Sequence, residues 1–491
     1  MSSAPQSIQD TLTDTPTING EAMALELFHT AAARVPAYKD FLAQAEVDTN
    51  SIKTYVDFKQ HVPLMDKKDY LRQYPLPDLC LDGNLFHNRI ISVSSGSSGE
   101  PFFWPRGAAQ DHDGTDMHTR IYDHIFKMNE KSTLLVICFS MGTWIAGSFT
   151  TTSSLGYIDK GNPVNVVTPG LEKAEAVNAI KNLAHLYDQV VITGYPPFVK
   201  DIIEQGKAAG IDWENTKTRL LMAGEAFSEE WRDYILDMIH SDDPYHDAIN
   251  IFGSADAGML GHETPVSILV RRIYNDDPEL CKEVFGTDIL PSIVQYEPAA
   301  RHFEAINGEL VFSSKAGIPL VRYNIKDTGG VLEYDAVIAP IKDRFEALAA
   351  EYNVDISHWQ KPFVYLNGRK DFSVTIYAVN IYPENIKAAL IDPRLRDWTT
   401  GRFTMATKNH SDMDQYFEIT VELADKCIIN DEQQTLINEV VVEHLKKLNA
   451  EYRKLYSAIG DKARPHVRLV AFGHPDYFAT GVKHRWVKKE S

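Results

Sequence analysis

The run Ser94-Ser95-Gly96-Ser97-Ser98-Gly99 packs hydroxyls and glycines so densely that its chemistry is that of an oxyanion cradle. Glycine lets backbone N–H groups turn toward a phosphate, and serine hydroxyls add donors. The run does not fit G-x-x-x-x-G-K-[ST], which disfavours a P-loop nucleotide triphosphatase. A flexible Ser/Gly linker is the other reading, and on this segment alone the two stand even. Further along, Phe252-Gly253-Ser254-Ala255-Asp256 offers a carboxylate oxygen to a hard cation, although alone it reads more simply as an acid at a helix N-terminus. Asp327 and Arg369, each taken singly, read equally well as surface ion-pair partners.

Elements that alternate strand and helix must position these residues. Arg89-Ile90-Ile91-Ser92-Val93 leads into the serine run and predicts a buried strand, at whose end a ligand would sit in an open α/β sheet. Residues 133–139, 189–193, 218–222 and 248–252 are further apolar runs. Each is followed by a small-residue turn: Ser140-Met141-Gly142-Thr143-Trp144, Gly194-Tyr195-Pro196-Pro197-Phe198, Ala223-Gly224-Glu225-Ala226 and Gly253-Ser254-Ala255-Asp256. Such alternation predicts a parallel sheet with its turns delivered to one edge. Helices are predicted over residues 21–45 with a break at Pro36, after an Asp66 cap, and after a Ser228 cap. Beyond Gly308 the pattern turns to β, with separate strands at 320–323 and 330–333 and an irregular insertion over 335–359. From Asp371 a smaller α+β unit follows, including one long helix over 431–456. The expected division is a disordered tail 1–20, a large unit 21–370, and a small mobile lid 371–491.

Composition bounds the partners. A chain of 491 residues exceeds a single core. Its net charge of −19 argues against nucleic acid or anionic membrane as a general partner. Four dispersed cysteines, Cys80, Cys138, Cys281 and Cys427, suit reduced thiols in the cytoplasm rather than a disulfide framework. The N-terminal residues lack a signal peptide's basic and apolar regions, and no apolar run approaches a membrane span.

Taken in order, these motifs resemble the acyl-adenylate-forming superfamily, most closely its phenylacetate–CoA ligase-like branch, which includes capsule-biosynthesis adenylyltransferase-like proteins. The resemblance runs from about residue 30 to 489. It is carried by Pro63-Leu64-Met65-Asp66-Lys67, the serine loop, Ala223-Gly224-Glu225, Phe252-Gly253-Ser254-Ala255-Asp256, Arg322-Tyr323-Asn324-Ile325-Lys326-Asp327, and Gly368-Arg369-Lys370-Asp371. It implies an α/β fold: a large N-terminal domain of layered mixed sheets and helices with a small mobile α+β C-terminal lid. The implied reaction joins a small carboxylic acid to the α-phosphate of ATP with Mg²⁺, releases pyrophosphate, and passes the acyl group to CoA.

On that resemblance Ser94 through Gly99 hold the β- and γ-phosphates, with Glu100 where the family often has lysine. Gly224, Glu225 and Ala226 lie against adenine, Phe252 and Gly253 flank it, and Ser254 stands near the α-phosphate. Asp256 holds magnesium, Asp327 the ribose hydroxyls, and Arg369 ribose or phosphate. Asp371 is the hinge, and Lys483 in Thr480-Gly481-Val482-Lys483 reaches the α-phosphate. Trp144, Gly194, Tyr195 and Phe198 line an apolar or aromatic acid pocket, or pack the sheet core; His262 and Glu263 line the same cavity. Ala378 replaces a glycine that lets pantetheine pass, which opens a carrier-protein thiol, an amine or a hydroxyl as alternative acceptor. The departures at Glu100, Ala255, Ala378 and Val482 together open a catalytically weakened nucleotide-binding relative. A homodimer is compatible with the resemblance.

Overall fold

The computed structural model describes residues 20–94, 101–287, 290–369, 374–395 and 397–478. The positions Ser95, Gly96, Ser97, Ser98, Gly99, Asp371 and Lys483 lie outside the described residues, as does the tail 1–19.

Helices Gly20–Arg34 and Pro36–Gln44 meet at Val35, because proline suits a first helical turn and ends the preceding one. Asp66 caps the short helical turn Lys67–Leu71 by accepting from the Asp69 N–H at 2.7 Å. β1 (Asn88–Ser94) pairs antiparallel with β2 (Phe102–Gly107) in a two-stranded sheet of their own. This corrects the expectation of a buried strand in the main sheet. Adjacent Ile90 and Ile91 cannot both face inward in a period-two strand, and Ile91 is 43% exposed while Ser92 and Ser94 are buried.

The main sheet is built on parallel strands β3 (Thr133–Cys138), β4 (Val164–Val167), β5 (Gln189–Gly194), β6 (Thr218–Ala223) and β7 (Ala248–Ser254), in spatial order β4-β3-β5-β6-β7. β8 (Gly258–His262), β9 (Ser292–Gln295), β10 (Arg301–Ile306), β11 (Glu309–Ser314), β12 (Leu320–Leu332) and β13 (Phe363–Arg369) extend it through antiparallel pairs to eleven strands. Period-two alternation splits the parallel strands between two cores. Leu134, Val136, Val190 and Ile192 face one core, and Leu135, Ile137 and Val191 the other. A third core joins the N-terminal helices to β10, β11 and β12.

Three elements differ from expectation. β12 runs unbroken where two strands are predicted, because β11 and β13 pair along it on both sides and carry it past Asp327. Residues 334–351 fold as helices Tyr334–Ile338 and Lys342–Glu351. The helix predicted over 431–456 divides into Asp431–Leu448 and Ala450–Ile459 at Asn449, whose side chain caps Tyr452 and donates to the Asn380 carbonyl at 2.9 Å.

After β13 the chain forms a smaller α+β unit: the hairpin β14 (Val374–Ile376) and β15 (Val379–Ile381), and a separate sheet of β16 (Thr399–Asn409), β17 (Gln415–Leu423) and β18 (His466–Val470). Its apolar face is continuous with the first core of the large unit. All four cysteines are free thiols. Among the described residues no helix is long and apolar enough to cross a membrane.

Candidate active site

Parallel strands end with their C-termini on one edge, so the turns after β3, β5, β6 and β7 gather there. Gly224 takes φ +92°, a left-handed backbone that suits glycine, and Gly224, Ala226 and Gly253 are exposed at this edge. The turn is braced from behind. Asn250 Nδ2 donates to the Glu225 carbonyl at 2.8 Å and Arg271 to that of Phe227 at 2.9 Å. Beneath lies a buried ion cluster of Glu229, Arg232, Glu263 and Arg271, with Arg232 to Glu263 at 2.7 Å. Glu263 is therefore structural support and does not line the acid cavity as expected. Burial without pairing would cost such charges several kcal/mol, so the cluster holds together as a set.

Asp256, in the loop after β7, is the centre of a second polar cluster. It is 6% exposed; its Oδ2 accepts from Tyr323 Oη at 2.6 Å, and its Oδ1 lies 3.2 Å from Lys67 Nζ. Ser254 Oγ accepts from the Ala257 N–H at 3.3 Å and shapes that loop. Lys67 Nζ also sits 5.4 Å from the Trp104 ring centroid, and Trp104 Nε1 donates to Ser94 Oγ at 3.0 Å. Ser94, where the serine run begins, is thereby linked to Asp256 through Trp104 and Lys67. Lys67 reaches this point because residues 62–66 are laid along β12. Met65 exchanges backbone hydrogen bonds with Arg322 and Asn324, and the buried Arg322 guanidinium binds Glu304 at 3.0 Å and the Val62 carbonyl at 2.6 Å.

Asp327 is buried on β12, in register opposite Arg369 of β13. The antiparallel pairing thus brings together two residues far apart in sequence. Phe252 is half-buried, its ring 6.5 Å from that of Phe303.

The acid-side residues divide. Trp144 is tied to β1 by a backbone bridge to Val93. Tyr195 packs on Phe139 at 5.3 Å and hydrogen-bonds Ser140, and burial holds its phenol well above the usual range. Gly194, at the end of β5, is too close to Val199 for a side chain, since a Cβ there would meet it at 2.9 Å. Phe198 is buried in the core, and His262 faces Trp359 with its Nδ1 on the Glu263 carbonyl, burial lowering its pKa to about 4. The structure does not place these two with Trp144 and Tyr195. On the small unit's side, Lys454 Nζ donates to the Met141 carbonyl at 2.6 Å and lies 5.9 Å from the Trp144 ring.

Solved structures of 2-hydroxyisobutyryl-CoA ligase superpose over nearly the whole chain. The form with 2-HIB-AMP and CoA in the thioesterification state gives a TM-score of 0.62 at 16% identity, covering 96% of this chain and 88% of that one. The open conformation with 2-HIB-AMP and CoA gives 0.53 at 16% identity over 96% and 91%. The post-adenylation state with 2-HIB-AMP gives 0.52 at 16% over 96% and 89%. The fold is that of the adenylate-forming CoA ligases. No protein-family model and no curated protein matches the chain.

Lys67, Trp104 and Tyr323 are site residues that sequence reasoning left without a role. The one signal was position: Lys67 closes a Pro-Leu-Met-Asp-Lys segment and Tyr323 lies four residues before Asp327.

Proposed function

We propose that this protein activates a carboxylic acid with ATP as an acyl-adenylate, releasing pyrophosphate, and transfers the acyl group to CoA, as a member of the phenylacetate–CoA ligase-like branch. One observation carries this reading: buried Asp256 meets Lys67 and Tyr323 beside Trp104 and Ser94, so a carboxylate and a cation stand where the serine run begins. Adenylation brings anions together and calls for positive charge and aligned donors around phosphorus. The serine loop ends in Glu100 and lacks its own lysine; Lys67 is placed to supply that charge.

Asp256 would hold Mg²⁺ through a carboxylate oxygen, the donor type a hard cation prefers. Bound there, magnesium would neutralise charge on the phosphate oxygens. Tyr323 orients the Asp256 carboxylate, and Lys67, paired with that carboxylate, would offer its charge to phosphate. Gly224, the Glu225 backbone, Ala226, Phe252 and Gly253 flank adenine, while Asp327 holds the ribose and Arg369 ribose or phosphate. Trp144, Gly194 and Tyr195 form the wall for an apolar or aromatic acid. On the sequence resemblance, Ser94 through Gly99 hold the β- and γ-phosphates, Lys483 is the adenylation lysine and Asp371 the pivot of the 371–491 lid; the dispersed cysteines suit the cytoplasm. The higher TM-score to the thioesterification state than to the open or post-adenylation states supports a docked, acyl-transfer arrangement of the two units.

An amine or carrier-protein thiol as acceptor is the second reading, favoured by the Ala378 methyl lying against Gly224. The deciding test is carboxylate-dependent exchange of pyrophosphate into ATP across a panel of apolar and aromatic acids. Absence of exchange with every acid would overturn the adenylating reading. Acceptors are then sorted by which of CoA or amines accelerates AMP release.

A further inference from the structure

Glu225 stands in the turn after β6, between the exposed Gly224 and Ala226, yet its carboxylate is committed elsewhere. It accepts from the backbone N–H of Ala378, and from Gln415 Nε2 at 2.8 Å. Gln415 Oε1 accepts the Tyr377 N–H at 3.0 Å, which fixes which end of the amide faces Glu225. Tyr377 and Ala378 form the β14–β15 turn with φ of +46° and +60°, a conformation disfavoured for residues bearing a Cβ. A Cβ built on Gly224 would stand 2.6 Å from that of Ala378, so the two backbones are in direct apposition. One residue before Gln415, Asp414 binds Lys200 at 2.7 Å, and Lys462 joins Asp414 at 3.4 Å to Asp201 at 2.7 Å. The acidic group Asp201, Glu204 and Asp414 is thus interleaved with lysines across the two units and serves as a tie.

We propose that Glu225 is a positioning residue for acyl transfer: with Gln415 it clamps the Tyr377–Ala378 turn over Gly224, so that docking of the small unit builds the acceptor side of the site. This rests on the adenylating reading above. Both partners of the carboxylate belong to the small unit, whereas Asp256, Lys67, Tyr323 and Trp104 all belong to the large one. The clamp touches none of Asp256, Lys67, Tyr323 and Trp104, so it bears on transfer rather than on their part in adenylate formation.

The test exploits the fixed polarity of the network. Gln415→Glu sets two carboxylates face to face. Adding Glu225→Gln reverses the donor and acceptor and restores every hydrogen bond. Three quantities are read: pyrophosphate exchange, acyl transfer from preformed acyl-adenylate to CoA, and the distance between fluorophores at Phe86→Cys and Ile428→Cys in a Cys427→Ser background. The expected result for Gln415→Glu is transfer reduced about tenfold or more with exchange within about twofold of the parent, and a lengthened distance; the double variant recovers both. Equal loss of exchange and transfer, or no recovery in the double variant, overturns the proposal. If the parent protein shows no exchange with any acid, the adenylating reading falls separately, and the distance alone decides whether the clamp holds the docked state.

Discussion

The network around Asp256 and the network around Glu225 are built differently. Asp256, Tyr323, Lys67, Trp104 and Ser94 all lie in the large unit, where Asp256 is shielded and both its oxygens are satisfied. Glu225, Ala378 and Gln415 meet only across the two units, through a turn held at positive φ. A network inside one unit is preorganised whatever the other unit does. One that spans two units exists in proportion to their docking. If the proposed two-step reaction holds, the first network serves adenylation and the second serves transfer.

Substitutions and pH separate the two networks. The largest effect is expected of Asp256→Asn, which keeps the Tyr323 contact but removes the charge: exchange should fall on the order of 10²-fold. Transfer from preformed acyl-adenylate should change far less, and a comparable fall in both would dissolve the distinction between the two networks.

Next comes pH. Burial raises the Glu225 carboxyl to about 7, against the opposing pull of its Ala378 and Gln415 hydrogen bonds, whereas an undocked, solvated Glu225 returns to the ordinary glutamate value of 4.5. The docked state thus binds the proton more tightly. Docking should weaken as pH rises from 4.5 to about 7, by up to about tenfold per pH unit, and level off above that. Tyr195 and Tyr377 face the same site but stay neutral across this range, burial holding both phenols high. The fluorophore distance measured across pH 5–8 checks the sign, and tighter docking at higher pH would contradict it.

Lys67→Met should raise the KM for ATP about tenfold with a smaller change in transfer, the worth of one charge-assisted contact to phosphate. Smallest is Asp414→Asn, which removes a partly exposed tie to Lys200 and Lys462: transfer should drop about two- to fivefold with exchange unchanged.

Local patterns made much of this legible. The continuous apolar runs of β3, β5 and β6 are buried on both faces, so the sequence marks them without ambiguity. The Asp66 and Ser228 caps form as their hydroxyl or carboxyl chemistry requires. β1 misled because its apolar residues pack no central sheet, and its buried positions are serines. Phe198 and Tyr195 looked alike as aromatics after a strand; only packing sent the first into the core and the second to Phe139 and Gly224.

Local sequence was enough for the alternation of strands and helices, the turns that carry Gly224 and Asp256, and the motif order behind the family resemblance, because propensity and period act between near neighbours. Tertiary structure alone decided that Lys67 pairs with Asp256, that Asp327 lies opposite Arg369, and that Glu225 holds the small unit's turn. Those partners are separated by tens to hundreds of residues, and they meet through strand register and unit docking, which no local rule encodes.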